Sequence, residues 1–163
     1  MIIREAQQRD VELLSEFLIK AWREAGPEAH GWTGATEEAM KHMSSHGFLS
    51  DLLGRDDTRV FIAIHGGRVV GFSSIKGMND ELVELSGIIV LESMTGAGVG
   101  SRLLYKSLDA ARGDGYESMI VKTEAFNERA LNFYQGKGFV PEATMVEDVE
   151  DTKVEIVKLV INL

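Results

Sequence analysis

The stretch Ile88-Ile89-Val90-Leu91-Glu92-Ser93-Met94-Thr95-Gly96-Ala97-Gly98-Val99-Gly100-Ser101-Arg102-Leu103-Leu104 decides the fold. Its apolar, largely β-branched start reads as a buried strand. Glycines at alternate positions follow. Gly100, Leu103, Leu104, Ser107, Leu108 and Ala111 then recur at the spacing of one helix face. A strand, a glycine turn and a helix in that order bring backbone amides close to an anion, and the helix start adds about half a positive charge. A tight turn that needs small residues explains the same glycines without any ligand. Two familiar phosphate loops can be tested against the stretch. The P-loop ends in Gly-Lys-Ser/Thr, and Gly100-Ser101-Arg102 has no lysine. The dinucleotide fingerprint G-x-G-x-x-G is met at Gly96 and Gly98, but Ser101 holds its third place. On that reading Glu124, at the end of the next strand, would mimic the ribose-binding acid.

Outward from this stretch, the pattern is strand-rich upstream. Residues 60–64 and 69–75 are apolar runs joined by Gly66-Gly67, a hairpin signal, and residues 82–91 form the next strand after a turn at 76–80. Further back, residues 2–6 read as a strand and Asp10 as the N-cap of a helix. Leu14, Phe17, Leu18, Ala21, Trp22 and Ala25 make up the buried face of that helix, and Gly26-Pro27 stops it. Residues 28–35 read as a loop, and Thr36 starts a helix that Gly47 bends or ends. Downstream, Gly113 and Gly115 close the helix of the glycine stretch, and 118–123 is a strand. Asn127 caps a helix carrying Ala130, Leu131, Phe133 and Tyr134, and Gly138 sits where a left-handed residue ends it, with Phe139 folding back. Strands at 140–146 and 154–161 flank an acidic turn at 147–151. The pattern predicts one domain over 1–163, of mixed α/β class, with a central mixed twisted sheet of about seven strands and about four helices on both faces.

Composition narrows the chemistry. The 163 residues hold 17 Lys+Arg against 26 Asp+Glu, a formal charge of −9, which argues against a nucleic-acid backbone or an anionic membrane as partner and favours cationic ligands. There is no cysteine, which excludes a thiolate nucleophile, a disulfide framework and a cysteine metal site. The start turns polar at Arg4 and no apolar run reaches the ~18 residues of a span, so the expectation is a cytoplasmic protein. His42 and His46 at i, i+4 could share a helix face, but no Glu follows His42, so no metal is expected there. Met40 and Met43 read as flexible core.

The chain resembles the GNAT superfamily of N-acetyltransferases over nearly its whole length. The family's acetyl-CoA loop, Gln/Arg-x-x-Gly-x-Gly/Ala after a strand ending Leu-x-Val, is met by Ile88-Ile89-Val90 and Thr95-Gly96-Ala97-Gly98-Val99-Gly100. A second signature, Asn-x-x-Ala-x-x-Phe-Tyr-x-x-x-Gly-Phe, is met at Asn127, Ala130, Phe133, Tyr134, Gly138 and Phe139. The resemblance implies acetyl-CoA as co-substrate, no metal, and transfer of acetyl to a primary amine by direct attack in a ternary complex. It implies that amides near Ile89, Val90 and Leu91 meet the pantetheine and thioester. Those of Gly96, Ala97, Gly98, Val99, Gly100 and Ser101 would cradle the diphosphate. Tyr134 falls on the family's general acid, and Asn127 on a cofactor contact. Glu84, in Glu84-Leu85-Ser86-Gly87-Ile88-Ile89-Val90, takes the place of a glutamate often used as base; it has the strand parity of Ile88 and Val90, and Glu81 is its weaker rival. Thr95 departs from the family, which carries Gln or Arg there. Its hydroxyl brings no charge and less reach to the diphosphate.

Two other functions compete with acetyl transfer. One is a non-catalytic acyl-CoA binding or sensing module; the other is the dinucleotide reading above. The acceptor amine carries no motif, though the net charge favours a cationic one. A homodimer is left open.

Overall fold

The computed structural model describes residues 1–25, 37–149 and 152–163. Seven strands among them run Ile2–Glu5 (β1), Thr58–His65 (β2), Arg68–Gly77 (β3), Leu82–Val90 (β4), Ser118–Glu124 (β5), Val140–Val149 (β6) and Thr152–Asn162 (β7). The helices are Val11–Ala25 (α1), Glu37–Met43 (α2), His46–Leu53 (α3), Val99–Gly113 (α4) and Glu128–Gly136 (α5). The strands form one sheet in the order β1-β2-β3-β4-β5-β7-β6. All neighbours are antiparallel except β4 and β5. A parallel pair needs a crossover, and α4 supplies it.

Local chemistry accounts for most of the element boundaries. Gly66 and Gly67, at φ 58° and 74°, make the β2–β3 turn. Gly71 of β3 lets α4 lie directly on the sheet, because a Cβ there would stand 2.8 Å from Val99 Cγ1 and 2.9 Å from Leu103 Cδ1. Beside it the hydroxyls of Ser73 and Ser107, both fully buried, satisfy each other at 3.0 Å. Helix α5 ends as the sequence predicts: Gly138 lies at φ 101°, its N–H donates to Gln135 O and the Phe139 N–H donates to Tyr134 O. The core joins Leu14, Phe17 and Leu18 of α1 with Phe61, Ile62, Leu85, Leu103, Leu104, Met119 and Leu159.

The structure corrects the sequence reading at several points. Asp10 does not cap α1. It ends a short 3-10 turn, accepts from the Gln7 N–H at 2.7 Å and takes both arms of the Arg4 guanidinium at 2.8 Å. That pair holds the carboxyl below the usual aspartate range. The break in the second helical segment comes at Ser44 and Ser45, not at Gly47, which lies inside α3. Ser45 caps α3 by accepting from the Phe48 N–H. The break gives five helices rather than four, and it puts His42 and His46 on different helices. Strand β6 runs on to Val149, with Glu147 and Asp148 paired to Val154 and Lys153, so most of the expected acidic turn is strand. The loop expected at 28–35, the helix start at Thr36 and residues 150–151 lie outside the described residues.

Candidate active site

Strands β4 and β5 pair only from Leu82↔Ser118 to Leu85↔Val121. Beyond that register they separate, and the gap opens at the C-terminal ends of the parallel pair, where α/β sheets place ligands. The separation starts at a bulge. Ser74 faces Gly87 while Ile75 faces Leu85, leaving Ser86 as the extra residue. A cleft of about 1320 Å³ fills the gap. Leu18 and Ala21 of α1, Phe48 and Leu49 of α3, and Phe72 of β3 form its apolar wall.

One side of the cleft is the β4 backbone. The Leu91 N–H donates to Val70 O at 3.0 Å. Alternation along the strand therefore turns the Ile89 N–H toward β3 and the Ile88 and Val90 N–H groups toward the gap. Of the amides expected near residues 89–91, Val90's faces the cleft, while those of Ile89 and Leu91 are taken up by β3; Ile88 joins Val90 instead.

The glycine loop closes one end. Gly96 and Gly98 sit at φ 82° and 78°, and Gly98 opens α4 with no side-chain cap. The Ala97 N–H is used on Met94 O, so Ala97 drops out of the expected cradle. The N–H groups of Gly96, Gly98, Val99, Gly100 and Ser101 have no acceptor among the described residues, and these five residues line the cleft. Five free donors converging at the positive end of a 15-residue helix fit a diphosphate.

Helix α5 supplies the opposite wall. Asn127 Oδ1 accepts from the Ala130 N–H at 3.1 Å, and its amide nitrogen has no partner among the described residues. Both Asn127 and Tyr134, seven residues on and so on the same helix face, line the cleft. Tyr134 is 7% exposed and held edge-on between Phe133 and Phe139, with ring centroids at 5.2 and 5.5 Å. Its hydroxyl makes no hydrogen bond among the described residues, and burial pushes the phenol up to about 12.

Glu84 is not part of this cleft. It lies below the separation, where β4 is still paired on both sides, opposite Lys76 and Ile120. The parity expected from sequence fails because the Ser86 bulge resets it. Glu84 shares its face with Gly87 and Ile89 rather than with Ile88 and Val90. Glu81, exposed just before the same strand, does not line the cleft either. The carboxylates that do are Glu24, Glu92, Glu124 and Glu147. Glu24 pairs with Lys20 at 3.7 Å, Glu92 with Arg129 at 3.7 Å and Glu147 with Lys122 at 3.6 Å; Glu124 has no ion-pair partner among the described residues.

Sequence reasoning passed over Arg129 and singled out Glu124 only as a mimic of a ribose-binding acid; both line the cleft. Arg129 places a cation in the first turn of α5, against the helix dipole, which is a readable anomaly. Glu124 ends the second strand of the parallel pair, where a ligand belongs, but that meaning needs the pairing to be known. Thr95 lines the cleft as expected, with its hydroxyl accepting from Arg129 Nη2 at 3.1 Å. Among the described residues no group of three acidic or histidine side chains could hold a metal ion, and no helix is long and apolar enough to cross a membrane.

The model of the acetyltransferase (GNAT) family matches residues 12–139. An uncharacterized N-acetyltransferase of Mycobacterium bovis is 32% identical over 80 residues, 49% of this chain and 51% of that protein. The chain thus matches about half the length of such curated relatives. Among solved structures, ribosomal-protein-alanine N-acetyltransferase from Brucella melitensis superimposes with a TM-score of 0.77 at 21% identity, covering 100% of both chains. The PaiA N-acetyltransferase of Thermoplasma acidophilum, in complex with coenzyme A, gives 0.73 at 20% identity over 96% of each.

Proposed function

Because the chain belongs to the GNAT acetyltransferase family, we propose that it moves acetyl from acetyl-CoA to a primary amine by direct attack, both substrates being bound in the one cleft. The observation that carries this is the convergence of the free amides at the start of α4, the unpaired β4 edge and the Tyr134 hydroxyl on a single cavity. Acetyl-CoA supplies an activated acyl group, so the protein has to orient, accept one proton and steady one leaving sulfur.

The Ile88 and Val90 N–H groups are placed to donate to the thioester oxygen as it gains charge. Glu124, the cleft carboxylate without an ion-pair partner among the described residues, replaces Glu84 as the group that takes the proton from the amine, directly or through a water. Tyr134 keeps its proton throughout the neutral range, since burial holds it near 12. Complete transfer to a departing thiolate is uphill, because burial makes this phenol a weaker acid than the thiol it would protonate. Its main contribution is therefore a hydrogen bond to the departing sulfur in a water-poor pocket, where such a bond counts most.

The acceptor is proposed to be cationic. Among the described residues four carboxylates, Glu24, Glu92, Glu124 and Glu147, line the cleft against the two cations Lys122 and Arg129, in a chain of net charge −9. The test is free-thiol release from acetyl-CoA with a panel of polyamines, basic peptides, aminoglycosides and anionic amino acids at low salt. Turnover strongest with the cationic amines supports the reading, and preference for anionic ones removes the charge argument. Glu124→Gln should cut kcat/KM by ~10²-fold while Glu84→Gln stays within threefold. Binding of acetyl-CoA without thiol release for any amine would favour the acyl-CoA sensing module instead.

A further inference from the structure

The glycine loop lacks the charged side chain that its place in the family leads one to expect, and α5 offers a replacement from across the cleft. Arg129 lies two residues after the α5 cap. A cation in a first helical turn opposes the helix dipole, so its placement there does nothing for the helix itself. The side chain instead reaches back to the loop. Nη2 donates to Thr95 Oγ1 at 3.1 Å, and Nη1 lies 3.7 Å from Glu92 Oε1. Arg129, Thr95 and Glu92 all line the cleft together with the five free amides at the start of α4. The guanidinium has five N–H donors in a planar fork. One is used on Thr95, and at 3.7 Å the Glu92 contact is an ion pair rather than a short hydrogen bond, so the fork keeps donors to offer.

We infer that Arg129 is the cationic diphosphate-binding residue of this protein, and that Thr95 positions it rather than binding the diphosphate itself. The threonine hydroxyl in this arrangement is an acceptor for the guanidinium, which fixes one edge of the fork against the loop. Glu92 tethers the other edge and offsets the cost of a cation at the start of α5. Charge that the family usually carries on the loop is here carried on the facing helix. It follows that Thr95→Arg brings two guanidinium groups to one spot and does not tighten binding. This inference rests on reading the loop as a diphosphate site, and the experiment separates the two.

The experiment measures acetyl-CoA affinity by calorimetry on the wild-type protein, on Arg129→Gln, on Thr95→Val and on the double variant, with a melting curve for each. S-acetylpantetheine, which lacks the diphosphate, serves as the second ligand. Arg129→Gln is expected to weaken acetyl-CoA by about tenfold, the loss of one charge-assisted contact, while leaving S-acetylpantetheine within twofold. Thr95→Val is expected to weaken acetyl-CoA by about threefold in the parent and to have no further effect in the Arg129→Gln background. Acetyl-CoA affinity within twofold of wild type in a folded Arg129→Gln variant overturns the inference and leaves the diphosphate site standing. Independent, additive losses at Thr95 and Arg129 overturn the positioning role. Failure of the wild-type protein to bind acetyl-CoA at all overturns both readings.

Discussion

Helix α4 begins at Gly98, which has no side chain to offer its first amides and stands at φ 78°. Helix α5 begins at Asn127, whose Oδ1 takes up the Ala130 N–H at 3.1 Å. Both starts line the same cleft. The uncapped start leaves the N–H groups of Val99, Gly100 and Ser101 without acceptors among the described residues, so they are able to receive an anion. The capped start uses the Glu128 and Ala130 N–H groups internally, on Phe126 O and Asn127 Oδ1. What it contributes is side chains held in place: the Asn127 amide nitrogen, the Arg129 fork and, seven residues on from the cap, the Tyr134 hydroxyl. A helix end can serve a site through its backbone or through its side chains, and the cap decides which.

The strongest break in this comparison is expected at Tyr134. Tyr134→Phe removes the hydroxyl and keeps the ring between Phe133 and Phe139, so acetyl-CoA affinity should stay within twofold while kcat falls by ~10²-fold. Because the phenol sits near 12, any alkaline limb below pH 10 belongs to another group and should survive the substitution. A kcat within threefold of the parent, with chemistry rate-limiting, takes Tyr134 out of the reaction.

At the uncapped start, Gly98→Val is expected to cost about 1–3 kcal/mol of stability through backbone strain alone, since a Cβ there meets nothing within 4 Å. A loop under this strain no longer presents its amides together, so stabilisation by acetyl-CoA in a thermal melt should disappear. A variant that melts lower but is still raised by acetyl-CoA as much as wild type would place the diphosphate elsewhere.

The smallest effects come at the capped start, and two variants divide its roles. Asn127→Ala loses the cap, about 1 kcal/mol of stability. Asn127→Asp keeps an oxygen for the Ala130 N–H and should hold stability within about 0.5 kcal/mol of the parent. It also puts a carboxylate in place of the amide nitrogen at the cleft, and acetyl-CoA should bind several-fold more weakly. An Asp variant that binds as well as wild type would leave Asn127 as a cap and nothing more.

The two helix starts are legible in the sequence because each depends on residues within one turn of the chain. Gly98 before an amphipathic run, Asn127 before another, and Gly138-Phe139 after it are local signals, and α4, α5 and the left-handed turn stand where those signals put them. The break at Ser44-Ser45 is local too, but Gly47 is the louder breaker and masks a serine cap two residues earlier. Glu84 escapes sequence reasoning for a different cause. Its face depends on the bulge at Ser86, and the bulge exists only as a mismatch of register with β3.

Sequence by itself determined the order of elements, the glycine loop with its helix, the Asn127–Tyr134 face and the family to which the chain belongs, because periodicity, caps and turn residues act over a few neighbours. Tertiary structure alone decided which amides of β4 are free, that Glu124 rather than Glu84 meets the cleft, and that Arg129 lies against Thr95, 34 residues away in the chain. Those facts depend on where β4 parts from β5 and on how α5 docks beside α4. Packing and hydrogen-bond registry between distant segments set both, and no window of consecutive residues contains them.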